Sequence, residues 1–188
     1  MKSLLKNKPF SLFSLVLLCS VSFFGLNVQA ETTFEKIKRT GKVTVGTEAA
    51  FPPFEFVEDG KIVGYGKDIL DYIIADLGVE LNQLDLPWQG ILPGVLAGKF
   101  DFVATSVSVR AERAKKYAFT VPIAEGTNWV MKRNGDTSIM SPDDLSGKVV
   151  CTQLASGSEK ATQEWEKDMK SRGLEGYKEL KFPYSFLL

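Results

Sequence analysis

Apolar positions recur along this chain with two periods. Val43 and Val45 alternate with polar neighbours in KVTVGT, residues 42–47, the period-two signature of a half-buried strand. Ile69, Ile73 and Leu77 share one helical face with Leu70 and Ile74 beside them, which predicts an amphipathic helix over 67–77 ended by Gly78. Val79 to Leu86 reads as a second strand, Ile91 to Ala97 as an apolar helix closed by Gly98, and Phe100 to Ala104 as a third strand. Ahead of the first strand, the segment with Phe34 and Ile37 reads as a polar turn. Behind that strand, Pro52 and Pro53 forbid a regular helix and place Phe51 in a stiff loop just past a strand end. Glu58-Asp59-Gly60-Lys61 is a hairpin turn. Strands alternating with helices over short connections predict an α/β unit, a mostly parallel sheet with helices on both faces.

The stretch Phe100 to Thr120, FDFVATSVSVRAERAKKYAFT, organises the rest. Its apolar run breaks at Ser106 and Ser108 into a helical pattern that opens near Arg110, with Arg113 in the first turn. At such a junction free backbone N–H groups, hydroxyls and a guanidinium can converge, and a carboxylate suits that point. The plain alternative is ordinary turn chemistry beside a solvated arginine. Phe51 and Trp88 both fall at strand ends, where ligands sit in open α/β sheets and where two aromatics can sandwich a side chain; core packing is the alternative for each.

Beyond Thr120 the chain crosses through Val121 to Gly126 and an extended run, Asn128 to Lys132, into a second unit. There Ser141 to Leu145 reads as a short helical turn and Lys148 to Thr152 as a strand. Ser156-Gly157-Ser158 is a polar turn opening a helix over 159–170. That turn can offer N–H groups to an anion, although most such turns bind nothing. Tyr184 to Leu188 is an apolar end with no evident partner.

Charge and composition narrow the chemistry. Lys2, Lys6 and Lys8, the Ser-interrupted apolar stretch Phe10–Leu26 and Val28-Gln29-Ala30 form an export leader, with cleavage expected after Ala30. A retained anchor and lipid attachment at Cys19 are the lesser readings, since the stretch is short for a span and Leu18 precedes the cysteine. Residues 31–188 carry 20 basic and 23 acidic side chains, so no nucleic-acid or membrane-surface patch is implied. The one cysteine there, Cys151, is expected to be buried on its strand. With no histidine in 188 residues, Ser-His and Cys-His pairs and imidazole metal sites are excluded. No cofactor, metal or catalytic residue is expected.

With these pieces in order, the sequence resembles the periplasmic solute-binding proteins of ABC transporters for polar amino acids and opines. The resemblance covers nearly all of 40–182 and rests on GKVTVGTEAAFPPFEF at 41–56, GYGKDI at 64–69, PWQGILPGVLAGKFDFVATSVSVRAERAKKYAFT at 87–120 and DDLSGKVVCTQLASGS at 143–158. It implies a two-lobe α/β fold, each lobe a mostly parallel sheet flanked by helices. Lobe 1 would span 31–125, a hinge crossing 126–132, and an incomplete lobe 2 133–188. It implies a monomer that binds a small polar or cationic amino acid in the periplasm and delivers it to a membrane permease. Carried over by position, Arg113 would hold the ligand α-carboxylate, and Ser108 with the Ser106 backbone the α-ammonium. Phe51 and Trp88 would pack the side chain, Glu48 would meet its polar or cationic end, and Gly157 and Ser158 would add carboxylate contacts. Three positions depart from the pattern: Arg110 stands for a helix-capping Thr, Gly66 for an Asp and Ala155 for a Gly. The resemblance also implies further lobe-2 residues, including an Asp for the ammonium, which do not follow here, so a C-terminally truncated chain with a half-built pocket is expected. An exported dehydratase of the same fold, a receptor sensor module and a non-functional fragment are the alternatives.

Overall fold

In the computed structural model, which describes residues 30–183, the chain forms two parallel-sheet layers and one small antiparallel sheet. The first layer has the order β5-β1-β6, with β1 Lys42–Thr47, β5 Glu80–Asp85 and β6 Phe102–Val103. β1 pairs in parallel with both neighbours, Val45 opposite Gln83 and Phe102. A three-stranded antiparallel sheet, β2 Ala50–Phe51, β3 Glu55–Glu58 and β4 Lys61–Val63, intervenes between β1 and helix α2, Tyr65–Leu77. Its β3–β4 hairpin turns at the expected Asp59-Gly60.

The N-terminal segment expected as a turn is instead helix α1, Thr33–Thr40. Thr32 and Glu35 form a reciprocal capping box, a local signal outweighed in the sequence reading by the segment's polarity. Ile37 from α1 and Leu70 from α2 join Val43 and Val45 in the core on one face of the sheet. The opposite face receives helix α3, Trp88–Leu96, by a close approach. A methyl at Gly46 of β1 or Gly94 of α3 would meet the Phe100 ring at 2.7 and 2.6 Å, so two glycines let one ring fill the space between strand and helix. Ile91 of α3 is fully buried there, contributing roughly 1.5–3 kcal/mol in removed apolar surface. This packing fixes the start of α3, and with it Trp88.

β6 is shorter than expected, and Asp101 just before it is tied to β1 by both backbone and side chain. Its N–H donates to the Thr44 carbonyl while its carboxylate accepts from the Thr44 N–H at 2.8 Å and from Lys36 at 2.7 Å. The chain then leaves the sheet through 104–108 into the four-residue helix α4, Ala111–Ala114.

Residues 121–132 form no strand, and Val121 and Trp129 are more than four-fifths exposed. A 3-10 turn at Pro142–Leu145 leads to β7, Val149–Gln153, then helix α5, Gly157–Ser171, and β8, Lys178–Phe182. β7 and β8 pair in parallel, and Leu145, Met169 and Tyr177 form their core. Cys151 is exposed, contrary to expectation. Thr152 is the buried residue of β7, and the face carrying Val149 and Cys151 is uncovered among the described residues. The expected export leader, apart from Ala30, and the apolar end at 184–188 lie outside the described residues. No helix among those described is long and apolar enough to cross a membrane.

Candidate functional site

The site assembles where three strand or helix ends meet. β1 ends at Thr47 and delivers Glu48; α3 begins at Trp88; the loop after β6 carries Ser106 and Ser108 towards α4 and Arg113. Arg113 Nη1 donates to the Ser108 carbonyl at 3.1 Å, and its guanidinium lies over the Trp88 ring at 5.2 Å. Such stacking holds a planar cation in place while leaving its remaining donors free. Arg113 is half-buried and forms no ion pair within 4 Å among the described residues. Burial first, and then the neighbouring charge of Arg110, hold its pKa below the ordinary value, against the opposite pull of Glu112.

Ser106 is half-buried and Ser108 exposed. What orients this loop is Glu55, a residue absent from the sequence-based site. At 2% exposure, its carboxylate accepts from Thr105 Oγ1 and the Ser106 N–H, each at 2.5 Å, and from Ser106 Oγ at 3.1 Å. Burial raises its pKa against these hydrogen bonds. The Ser106 N–H is therefore occupied by the Glu55 carboxylate. A lone acid between Phe54 and Phe56 was the sequence signal for a buried carboxylate, one the resemblance did not mark as ligand-binding.

Glu48 is 6% exposed and accepts from Gln153 Nε2 of β7. Burial raises its pKa, opposed by the Gln153 bond and reinforced by Glu55 and Asp85. Phe51 stacks on Phe54 with ring centroids 5.7 Å apart, and no ring contact joins it to Trp88 among the described residues. Its position belongs to the short strand β2 rather than to a free loop. Trp88 is buried, and its Nε1 donates to the Ala155 carbonyl at 2.9 Å. Gly157 is the first residue of α5 behind the N-cap Ser156, and Ser158 Oγ donates to Asn128 Oδ1 of the crossing segment at 3.1 Å.

The turn before α5 therefore touches the first layer at several points. Ala155, where the resemblance has Gly, adopts φ 61, the left-handed region that costs a non-glycine residue about 1 kcal/mol. Its N–H donates to Glu159, which also accepts from Lys181 at 2.6 Å. These bonds and the Trp88 contact hold the turn in this conformation. Ala155→Gly is expected to raise stability by about 0.5 kcal/mol, the relief of strain exceeding the added freedom of the unfolded chain. Chemical denaturation of both proteins measures it; a destabilised variant would mean that Ala155 is not strained.

The chain belongs to the bacterial extracellular solute-binding proteins, family 3, whose profile matches residues 43–176. It is similar to a probable amino-acid ABC transporter-binding protein of Haemophilus influenzae, 29% identical over 163 residues, covering 86% of this chain and 61% of that protein. It is also similar to the L-cystine-binding protein TcyJ of Escherichia coli K12, 32% identical over 140 residues, covering 72% of this chain and 53% of that protein. Among solved structures, an ancestral arginine-binding protein bound to arginine matches with a TM-score of 0.68 at 36% identity, covering 76% of this chain and 61% of that one. The ancestral amino acid-binding protein AncCDT-1, a precursor of cyclohexadienyl dehydratase, matches with a TM-score of 0.69 at 30% identity, covering 81% of this chain and 66% of that one. The chain thus spans about half to two-thirds of the length of these relatives, and it has the two-lobe α/β fold of the structural neighbours in incomplete form.

Proposed function

We propose that this chain captures a small polar or cationic amino acid outside the cytoplasm, in the periplasm, and presents it to the membrane permease of an ABC transporter. The observation that carries the reading is Arg113, a half-buried guanidinium clamped by Trp88 and Ser108 with no carboxylate partner among the described residues. A ligand carboxylate supplies that partner through paired hydrogen bonds. The Ser106 carbonyl and Ser108 hydroxyl take the ammonium, and Gly157 and Ser158 approach the carboxylate from the second lobe. Phe51 and Trp88 flank the side chain, and the buried Glu48 faces a cationic or hydrogen-bonding end. Residues 31–125 form the first lobe, 126–132 the hinge and 133–188 the part of the second lobe present here, with residues 1–30 as the export leader. The arginine-bound structural relative and the amino-acid-binding relatives support this assignment.

A thermal-shift screen of the chain against the common amino acids and opines tests it. A ligand at a hundredfold excess over its Kd stabilises the folded state by about 2.7 kcal/mol. The expected result is a selective rise in Tm with one polar or cationic amino acid; a cooperative melt that no amino acid moves would reject the reading. The protein is read as a binder, not an enzyme, and release of product from a prephenate-like substrate would overturn that part.

A further inference from the structure

We infer that Arg110 is a positioning residue that draws the 154–158 turn onto the head-group site and couples ligand capture to lobe closure; this rests on the function proposed above. Arg110 occupies the N-cap position of α4 with extended backbone, φ −137 and ψ 148, yet its side chain makes no capping bond. It reaches across the cleft instead, and Nη2 donates to the Gly157 carbonyl at 2.6 Å. The approach is so close that a methyl at position 157 would lie 2.8 Å from Nη2. A side chain there would push the guanidinium off its present position.

The same turn receives two neutral donors from α3: Trp88 Nε1 on the Ala155 carbonyl and Gln89 Nε2 on the Leu154 carbonyl at 3.3 Å. Arg110 is the charged member of this set, and a charge-assisted bond is the stronger kind. Fixing the Gly157 carbonyl also fixes the plane of the peptide that carries the Ser158 N–H.

Arg110 and Arg113 line one open cleft of about 280 Å³ together with Glu112, Ser156, Glu159 and Lys160. Glu159 is engaged by Lys181 and the Ala155 N–H, so Glu112 is the acid of the cleft that offsets part of the charge on Arg113. With Arg110 docked on Gly157, its charge lies close enough to lower the pKa of Arg113, after burial and against the opposite pull of Glu112. An anion on Arg113 relieves the repulsion and lets Arg110 stay docked on Gly157. By linkage, docking of Arg110 then favours the anion to the same degree.

The test uses the full chain carrying Cys19→Ser, with a donor–acceptor pair on the exposed Cys151 and on Tyr72→Cys of α2, a position 76% exposed. Inter-lobe distance is read without ligand, and the dissociation rate of the bound amino acid with it. Arg110→Ala is expected to widen the distance and speed dissociation roughly tenfold, the loss of one charge-assisted bond. Arg110→Lys, which can still donate to the carbonyl, restores most of both. Gly157→Ala displaces Arg110 and has a similar effect, and adding it to Arg110→Ala brings little further change. Unchanged distance and rate in Arg110→Ala, no recovery in Arg110→Lys, or full additivity of the two alanine variants would overturn the inference. Absence of any amino-acid binding by the unsubstituted chain would reject the function instead, while the ligand-free distances still decide the role of Arg110.

Discussion

Arg113→Ala is expected to lower amino-acid affinity at least a hundredfold, a loss of about 3 kcal/mol. Removing one partner of a desolvated, hydrogen-bonded charge pair costs about 2–5 kcal/mol, because the ligand carboxylate is left buried without its partner. The cost to folding is smaller. The side chain gives up one bond to the Ser108 carbonyl and its place over Trp88, together worth about 1–2 kcal/mol at this degree of exposure. Calorimetry on the variant therefore separates the roles: a cooperative fold with binding abolished assigns Arg113 to the ligand. The sharper comparison uses the decarboxylated amine of the same ligand, which has no group for Arg113 to hold. Its weak binding should be nearly equal in the two proteins. Arg113→Lys keeps the charge but not the planar fork and should fall between the two. Near-native affinity in Arg113→Ala would remove the head-group assignment, and with it the reason for placing Ser106 and Ser108 around the ammonium.

The elements that follow from local periodicity were legible in the sequence. β1 coincides with its expected bounds at 42–47, α2 ends at Gly78 as expected, and β7 and α5 begin within two residues of their expected starts. What periodicity does not encode is how one element uses another. α3 begins at Trp88 rather than Ile91, so the indole belongs to the start of a helix that is seated by the Phe100 contact with Gly46 and Gly94. Cys151 looked buried because it sits in an apolar run, but burial on a two-stranded sheet depends on which face a helix covers, and α5 covers the other. β8 carries Lys178, Glu179 and Lys181 among few apolar residues, so its strand character comes from pairing with β7. Within the site, the pattern marked Arg113 and the two serines, whose spacing is local. Glu55 lies fifty residues from the loop it orients, and Gln153 more than a hundred from Glu48. Such partnerships arise only from tertiary folding.

Glu48 presents a conflict between stability and selectivity, and Glu48→Gln is expected to expose both sides. The residue is almost fully buried, and burial raises its carboxyl pKa, with Glu55 and Asp85 adding to that effect and Gln153 opposing it. A carboxyl with a folded pKa above its unfolded value makes the folded state bind more protons between the two values. Stability from this group is thus fully present below the ordinary carboxylate range and lost as pH rises through the raised value. Glutamine keeps the acceptor for Gln153 and removes the buried charge. The variant should melt higher than the unsubstituted chain at pH 7, and the gap should close on acidification below about pH 4.5. Binding should move the other way for one class of ligand. A cationic side chain loses its buried counter-charge and its affinity falls roughly thirtyfold, about 2 kcal/mol, while a neutral amino acid changes by no more than about threefold. Tm against pH and calorimetry with a cationic and a neutral amino acid measure the two effects separately. A flat difference in Tm across pH would show that Glu48 carries no raised pKa in the fold. Equal losses for both ligands would show that it shapes the turn through Gln153 and does not read the side chain. The higher Tm together with selective loss of the cationic ligand would identify a carboxylate that is kept at a cost in stability because it recognises charge.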